Sequence, residues 1–210
     1  TMEDSDEAKF AAWRAGDARA GAELFERHYD AIARFFRNKV DVDAPDLIQK
    51  TFLGCLESRE RVRGDSSFRT YLFAVAHNVL YKHFRGRSRS PLDFGVTSVH
   101  DLRPSATALL ARRGEEQALL QALRQIPLEH QVTLELYFWE KLGAREMAEI
   151  QGVPEGTIRT RLRRAKQLLE QALARIARSP AELRDTLANL DAWASSVRAQ
   201  VAGRGDRPAT

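Results

Sequence analysis

Apolar side chains recur along most of the chain at intervals of three and four, the repeat of helices with one buried face. Alternating β-branched runs are missing, so the pattern predicts an all-α protein. Residues 4–15 form a first helix carrying Phe10 and Trp13, stopped at Gly16-Asp17. Residues 18–40 form a second, with a broad face of Leu24, Phe25, Tyr29, Ile32, Phe35 and Phe36, broken by the Asp/Pro-containing stretch 41–45. A third, 46–58, reaching back to Ala44 or Pro45, puts Leu47, Ile48, Thr51, Phe52, Cys55 and Leu56 on its apolar side. Asp46, Gln49, Lys50 and Gly54 lie elsewhere on that helix, and core packing does not require Asp46, Gln49 or Lys50. After a charged loop at 59–67, residues 68–85 return to helical spacing with Phe68, Tyr71, Leu72, Val75, Ala76, Val79, Leu80 and Phe84. Arg69, His77, Asn78, Lys82 and His83 are interleaved there. That mixture suits either an aromatic core with a polar outer face or a platform for unstacked bases.

Periodicity fades between 88 and 114, where Ser, Pro, Thr and Gly accumulate, and this stretch reads as a flexible linker. A second unit, 115–178, begins with a helix through Leu119, Leu120, Leu123 and Ile126 that stops at Pro127. A helix over 129–139 follows, with Val132, Leu134, Leu136, Tyr137 and Phe138. Residues 143–169 then read as two short helices around a tight turn, Gln151-Gly152-Val153-Pro154. Gly152 supplies the positive φ, and Pro154 suits the first position of the second helix. That second helix carries Ile158, Leu162, Ala165 and Leu169 on one side and Arg159, Thr160, Arg161, Arg163, Arg164 and Lys166 outside it. A basic face is often only solvated surface. The sharp turn, the near-absence of acidic residues from 156 to 169 and the small polar start at Gly156-Thr157 favour a helix-turn-helix that binds DNA. Beyond Ser179, a capping box and the Leu183/Leu187/Leu190 repeat predict a last amphipathic helix over 180–202, then a disordered tail from 203.

Charge refines this picture. Lys plus Arg number 33 against 29 Asp plus Glu, a formal +4. That balance alone does not call for a polyanion. The local segregation does: residues 2–7 are acidic, whereas 85–89 and 159–166 are basic. The single cysteine, Cys55, allows no internal disulfide and lies in an apolar stretch, as a reduced core thiol would. No apolar run is long enough to span a bilayer and the N-terminal stretch is acidic, so no membrane insertion and a cytoplasmic location are expected.

Enzymatic chemistry finds no purchase. There is no Gly-rich phosphate loop of the GxxxxGK[ST] kind, and His28, His77, His83, His100 and His130 make no pair at metal-ligand spacing. No nucleophile has an identifiable base. No cofactor, metal or catalytic residue is expected.

Together the two units resemble the extracytoplasmic-function (ECF) sigma factors of bacterial RNA polymerase, within the sigma-70 family. The resemblance spans roughly 18–174. It rests on Asp46-Leu47-Ile48-Gln49-Lys50-Thr51-Phe52, on Arg63-Gly64-Asp65-Ser66-Ser67-Phe68-Arg69-Thr70-Tyr71-Leu72 and on Ala76-His77-Asn78 in the first unit. In the second it rests on Ile126-Pro127, Glu146-Met147-Ala148-Glu149-Ile150 and the run from Gly156 to Ala165. All of these occur in order around one linker. A stand-alone helix-turn-helix regulator, the competing class, would share only the second motif.

The resemblance implies a plan. Residues 1–87 would be region 2, 88–114 the linker, 115–178 region 4, and 179–210 an extension outside the ordinary two-domain arrangement. Asp46, Leu47, Gln49, Lys50 and Phe52 would bind the polymerase β′ subunit, with β as a further partner. Glu60, Arg61, Val62, Arg63, Gly64, Asp65 and Ser66 would hold a base flipped from the −10 element, and Asn78 would help position that strand. Thr157, Arg159, Thr160, Arg161, Arg163, Arg164 and Lys166 would read the −35 element in the major groove. Promoter DNA and an anti-sigma factor complete the implied partners. The chain departs from the family at Val62, where an aromatic is common, at Tyr71 in place of tryptophan, and at Lys50 in place of glutamate.

Overall fold

The computed structural model describes residues 5–40, 43–62, 66–88, 90–102, 115–176 and 188. Among them the chain is helical apart from turns and one isolated bridge, Ser98 to Pro127. Helix α1 spans Asp6–Arg14, α2 Ala18–Arg37, α3 Ala44–Ser58 and α4 Phe68–Arg87; a 3-10 turn, Arg59–Arg61, follows α3. The second unit comprises α6 Glu115–Gln125, α7 Leu128–Phe138, α8 Ala144–Gln151 and α9 Glu155–Ile176, with a short α5, Val99–Leu102, before it. Polar caps account for the helix starts. Ser5 accepts from Ala8 N, Asp17 from Arg19 N and Ala20 N, and Ser67 from Thr70 N. The Glu146 carboxylate accepts from Gly143 N at the start of α8.

In the first unit, aromatics from α1, α2 and α4 close on one another. Trp13 meets Phe25 and Phe68 edge-on, and Phe10 meets Phe68 in the same way. Two glycines permit the close approach of helices. A Cβ at Gly21 would lie 2.2 Å from the Trp13 ring, and one at Gly54 would lie 3.0 Å from Val75. Gly54 therefore seats α3 on α4. Cys55 is buried with its thiol pushed up to about 12 by desolvation, as a core position requires.

The second unit has two apolar layers. Leu119, Leu123, Leu134, Trp139, Ala165, Leu169 and Leu173 join α6, α7 and α9. Leu128, Val132, Leu136, Met147 and Ile150 face the other way and belong to one continuous core with the first unit. Helix α7 is consequently buried nearly all round, including His130, Gln131, Thr133 and Glu135. A helix of this kind is a central element rather than a surface one.

The linker differs from expectation over its first half. Phe94 and Val99 are buried, Leu128 N donates to Thr97 O, and Glu129 N donates to Phe94 O. The Phe94 ring packs at a tilt against Tyr81, centroids 4.4 Å apart, and lies under the Arg85 guanidinium. Apolar anchors in a Ser/Pro-rich stretch thus strap α4 to α7. The helix and tail expected beyond residue 179 lie outside the described residues, apart from Ala188.

Candidate nucleic-acid interface

On α3, burial sorts the expected partner-binding set. Asp46, Gln49 and Lys50 are exposed, with Asp46 and Lys50 ion-paired at 2.7 Å. Phe52 is half-buried against Phe25 and Tyr29. Leu47 is only 1% exposed, so it secures the helix and does not reach a partner. Leu56, expected in the core, is instead 48% exposed, as is Leu53. At spacings of three and four these two leucines share the outer face with Asp46, Gln49 and Lys50. Two exposed leucines thus lie amid charged residues, one of which, Leu56, apolar periodicity alone assigned inward.

The loop after α3 is braced from both ends. Tyr71 Oη donates to Cys55 O at 2.8 Å and sits 2.7 Å from Ser58 Oγ, so the tyrosine hydroxyl ties α4 to the end of α3. Arg59 lies over the Trp13 ring, and Arg14 Nη2 donates to Val62 O at 3.3 Å. Glu60 and Arg61 stay exposed and Ser66 half-exposed. Val62 is 8% exposed and turned into the core, which removes it from the residues available to stack on a base. Arg63, Gly64 and Asp65 lie outside the described residues. Asn78 is exposed on α4, beside the buried His77. The role of α1 as a brace had no local sign in the sequence beyond a tryptophan at helical spacing.

The α8–α9 pair has the geometry expected of it. Gly152 ends α8 at φ 65, its N–H satisfying the carbonyls of Ala148 and Glu149. Helix α9 starts at Glu155, one residue after Pro154. Ile158, Ala165 and Leu169 are buried, and Thr157, Arg159, Thr160, Arg163 and Arg164 are exposed. One of the expected residues faces elsewhere. Arg161 is 14% exposed and pairs with Glu129 at 2.8 Å, while its Nη1 donates to Gln151 Oε1 at 2.6 Å. It ties α9 to α7 and α8. Lys166 is exposed with the others, its ammonium 5.1 and 5.3 Å from the ring centroids of Tyr137 and Phe138. Arg159 is held at its exposed site by Glu155.

The sequence matches the family described as Sigma-70 region 2 over residues 24–90 and that described as Sigma-70, region 4 over residues 116–169. The chain belongs to the extracytoplasmic-function sigma factors. It is 29% identical over 153 residues to the RNA polymerase sigma-H factor of Pseudomonas aeruginosa, covering 68% of this chain and 78% of that one. It is 26% identical over 170 residues to the ECF RNA polymerase sigma-E factor of Haemophilus influenzae, covering 75% and 89%. Among solved structures, CnrH in complex with the cytosolic domain of CnrY shares the fold, with a TM-score of 0.64 at 22% identity over 83% of this chain and all 100% of that one. The sigma factor RpoE in complex with the anti-sigma factor NepR from Bartonella quintana gives 0.57 at 18% identity, covering 73% and 96%.

In the terms of this sigma factor, the region 2 match runs from within α2 past the end of α4, and the region 4 match from α6 into α9. The two regions are in contact. Arg34 Nε and Nη2 donate to the Glu140 carboxylate at 2.9 and 3.2 Å, and Arg69 Nη2 donates to the same group at 2.8 Å. Lys39, fully buried, pairs with Glu135, which also accepts from Asn38 and Gln131. Desolvation holds the Lys39 ammonium below its ordinary range, partly offset by Glu135. Next to the loop, Ser66 donates to Glu149 of α8.

Proposed function

We infer that this sigma factor directs core RNA polymerase to promoters by reading the −10 and −35 elements. The observation that carries the reading is that region 2 and region 4 occur in one chain, each presenting a distinct outer surface. On region 2, Asp46, Gln49, Lys50, Leu53 and Leu56 offer an apolar patch ringed by charge, suited to a protein partner. Docking on the β′ subunit is the proposed use, with Leu47 and Phe52 supporting it from beneath. The braced loop carrying Glu60, Arg61 and Ser66 is proposed to hold an unstacked −10 base, and Asn78 to position the strand. Unstacking costs a few kcal/mol per base, so a rigidly held loop is an advantage. On region 4, Thr157, Arg159, Thr160, Arg163 and Arg164 are proposed to read the −35 bases. A bidentate arginine–guanine contact contributes about 1–3 kcal/mol of discrimination. Lys166, exposed on the same helix, is proposed with them, whereas Arg161 supports the helix from within. An anti-sigma factor and the β subunit are further proposed partners, the former because a solved sigma factor of this fold, RpoE, is in complex with the anti-sigma factor NepR.

Two substitutions test the division of labour. Leu53→Asp is expected to weaken affinity for core polymerase at least tenfold and leave region 4 binding to −35 duplex unchanged. Arg163→Ala is expected to keep core affinity and change the preferred −35 base. Unaltered core affinity in Leu53→Asp, or lost core affinity in Arg163→Ala, would contradict these assignments.

A further inference from the structure

Cationic side chains on the outside of α1–α4 are mostly neutralised within the fold. Lys9 and Arg19 share Glu23, Arg27 pairs with Asp6, Lys50 with Asp46 and Arg87 with Asp43. Arg14, Arg59 and Arg61 differ. Among the described residues none of the three forms an ion pair, although Glu60 stands between two of them. Two of the three are seated on aromatic rings. Arg14 lies over Phe10 and Arg59 over Trp13, 5.8 and 5.9 Å from the centroids, and those two rings stack on each other. Arg14 also donates to the carbonyl of Val62, the neighbour of Arg61 in the chain. The Arg59 Nε is buried with no hydrogen-bond acceptor, whereas Arg14 and Arg61 are exposed. Three guanidinium charges thus gather at the stem of the loop that follows α3, outweighing one carboxylate. Helix α1, which supplies Arg14, precedes the region 2 match, which begins at residue 24.

We propose that Arg14, together with Arg59 and Arg61, holds the backbone phosphates that flank the extruded −10 base, which makes α1 part of the strand-binding surface. The proposal rests on the sigma-factor reading above. Turning a base out of its stack rotates its backbone toward the pocket that receives it. The phosphates carried there call for positive charge that no internal carboxylate has claimed. A guanidinium meets a phosphate with parallel N–H donors, and resting its plane on an aromatic ring pre-sets that geometry. Arg14 can serve loop and strand together: Nη2 donates to Val62 O, and its other N–H groups remain for a phosphate. The apolar residues beneath the cluster, Phe10, Trp13 and Val62, are buried and offer a protein partner no anchor.

The test uses holoenzyme formed with core polymerase and a fluorescent single strand carrying the non-template −10 sequence of a promoter that this holoenzyme opens. Arg14→Gln, at an exposed position, should weaken binding of that strand by about threefold or more at low salt and lower the slope of log affinity against log salt by about 0.7, the share of one phosphate on a single strand. Arg61→Gln should do the same, and Arg14→Lys should keep the slope. The phosphates flanking the extruded base are then replaced in turn by neutral methylphosphonates. At the linkage that Arg14 holds, wild type and Arg14→Gln should bind equally. If Arg14 only braces the loop through Val62 O, the slope is unaltered and the deficit persists on every neutral linkage; either result overturns the proposal. So does a loss of affinity for core polymerase in Arg14→Gln, which would make the cluster a protein-binding one. A wild-type holoenzyme that opens no promoter is a different failure, that of the sigma-factor reading, and takes the proposal with it.

Discussion

Arg34 and Glu140, 106 positions apart in sequence, meet through two hydrogen bonds of 2.9 and 3.2 Å with both side chains buried. Their pairing welds the end of α7 to α2. Removing one partner leaves a desolvated charge uncompensated, at a cost of about 3–5 kcal/mol. Glu140→Ala removes the carboxylate that Arg34 and Arg69 share, while Arg69 keeps its hydrogen bond to the backbone carbonyl of residue 140. Calorimetry should show one cooperative transition in the wild type and two separated transitions, for region 2 and region 4, in Glu140→Ala.

Gly21 and Trp13 make a second prediction. With the added Cβ 2.2 Å from the indole, Gly21→Ala must push α1 off α2. Overpacking of this kind costs about 1–3 kcal/mol. Because Trp13 carries Arg59 and Arg14 holds Val62 O, the displaced helix should also loosen the −10 loop. Urea denaturation should register the destabilisation, and promoter opening should slow while −35 binding is unaffected.

Arg161 and Arg163 stand two residues apart and should behave differently. Arg161→Ala removes the ties to Glu129 and Gln151 and leaves Glu129 without its closest cation. The expected result is a loss of about 2 kcal/mol in stability with the −35 base preference intact. Selection of −35 sequences by the two variants, alongside their melting curves, separates a structural arginine from a base-reading one.

His77 gives the fold a pH dependence. Burial pushes its imidazole down to about 4, with Arg161, Arg85 and Lys39 adding to the effect and Asn78 opposing it; the Tyr81 ring lies 4.0 Å away. The folded state therefore keeps His77 neutral, whereas the unfolded chain binds a proton below about 6.5. Stability is fully present above that value and falls as pH drops toward 4, by at most about 3 kcal/mol from this group. Urea titrations at pH 7 and 4.5 should show the loss, and His77→Phe should remove this part of it.

Much of this was legible in residue spacing. The helices, Gly152 at the turn and the buried stripe through Ile158, Ala165 and Leu169 follow from local chemistry, because a helix must bury one side and end on a residue that tolerates its cap. What spacing could not show was pairing between distant segments. Glu135 and Gln131 look like the solvent face of α7 until Asn38 and Lys39 are brought opposite them. Leu56 looks like core because it continues the repeat of Phe52 and Cys55, yet it is exposed. Arg161, three residues after Ile158 and one before Leu162, sits on the border of the apolar stripe, and only the positions of Glu129 and Gln151 decide which way it turns. Val62 was placed by analogy with a loop tip, whereas its side chain completes the core beneath that loop.

This chain gives core RNA polymerase its promoter choice. Mixing the pure protein with core enzyme and a promoter library, then sequencing the transcript starts, measures that directly. The account predicts initiation at a discrete set of promoters that core enzyme alone ignores, sharing −10 and −35 sequences. Tight duplex binding by the protein alone, with no new starts when polymerase is present, would contradict it.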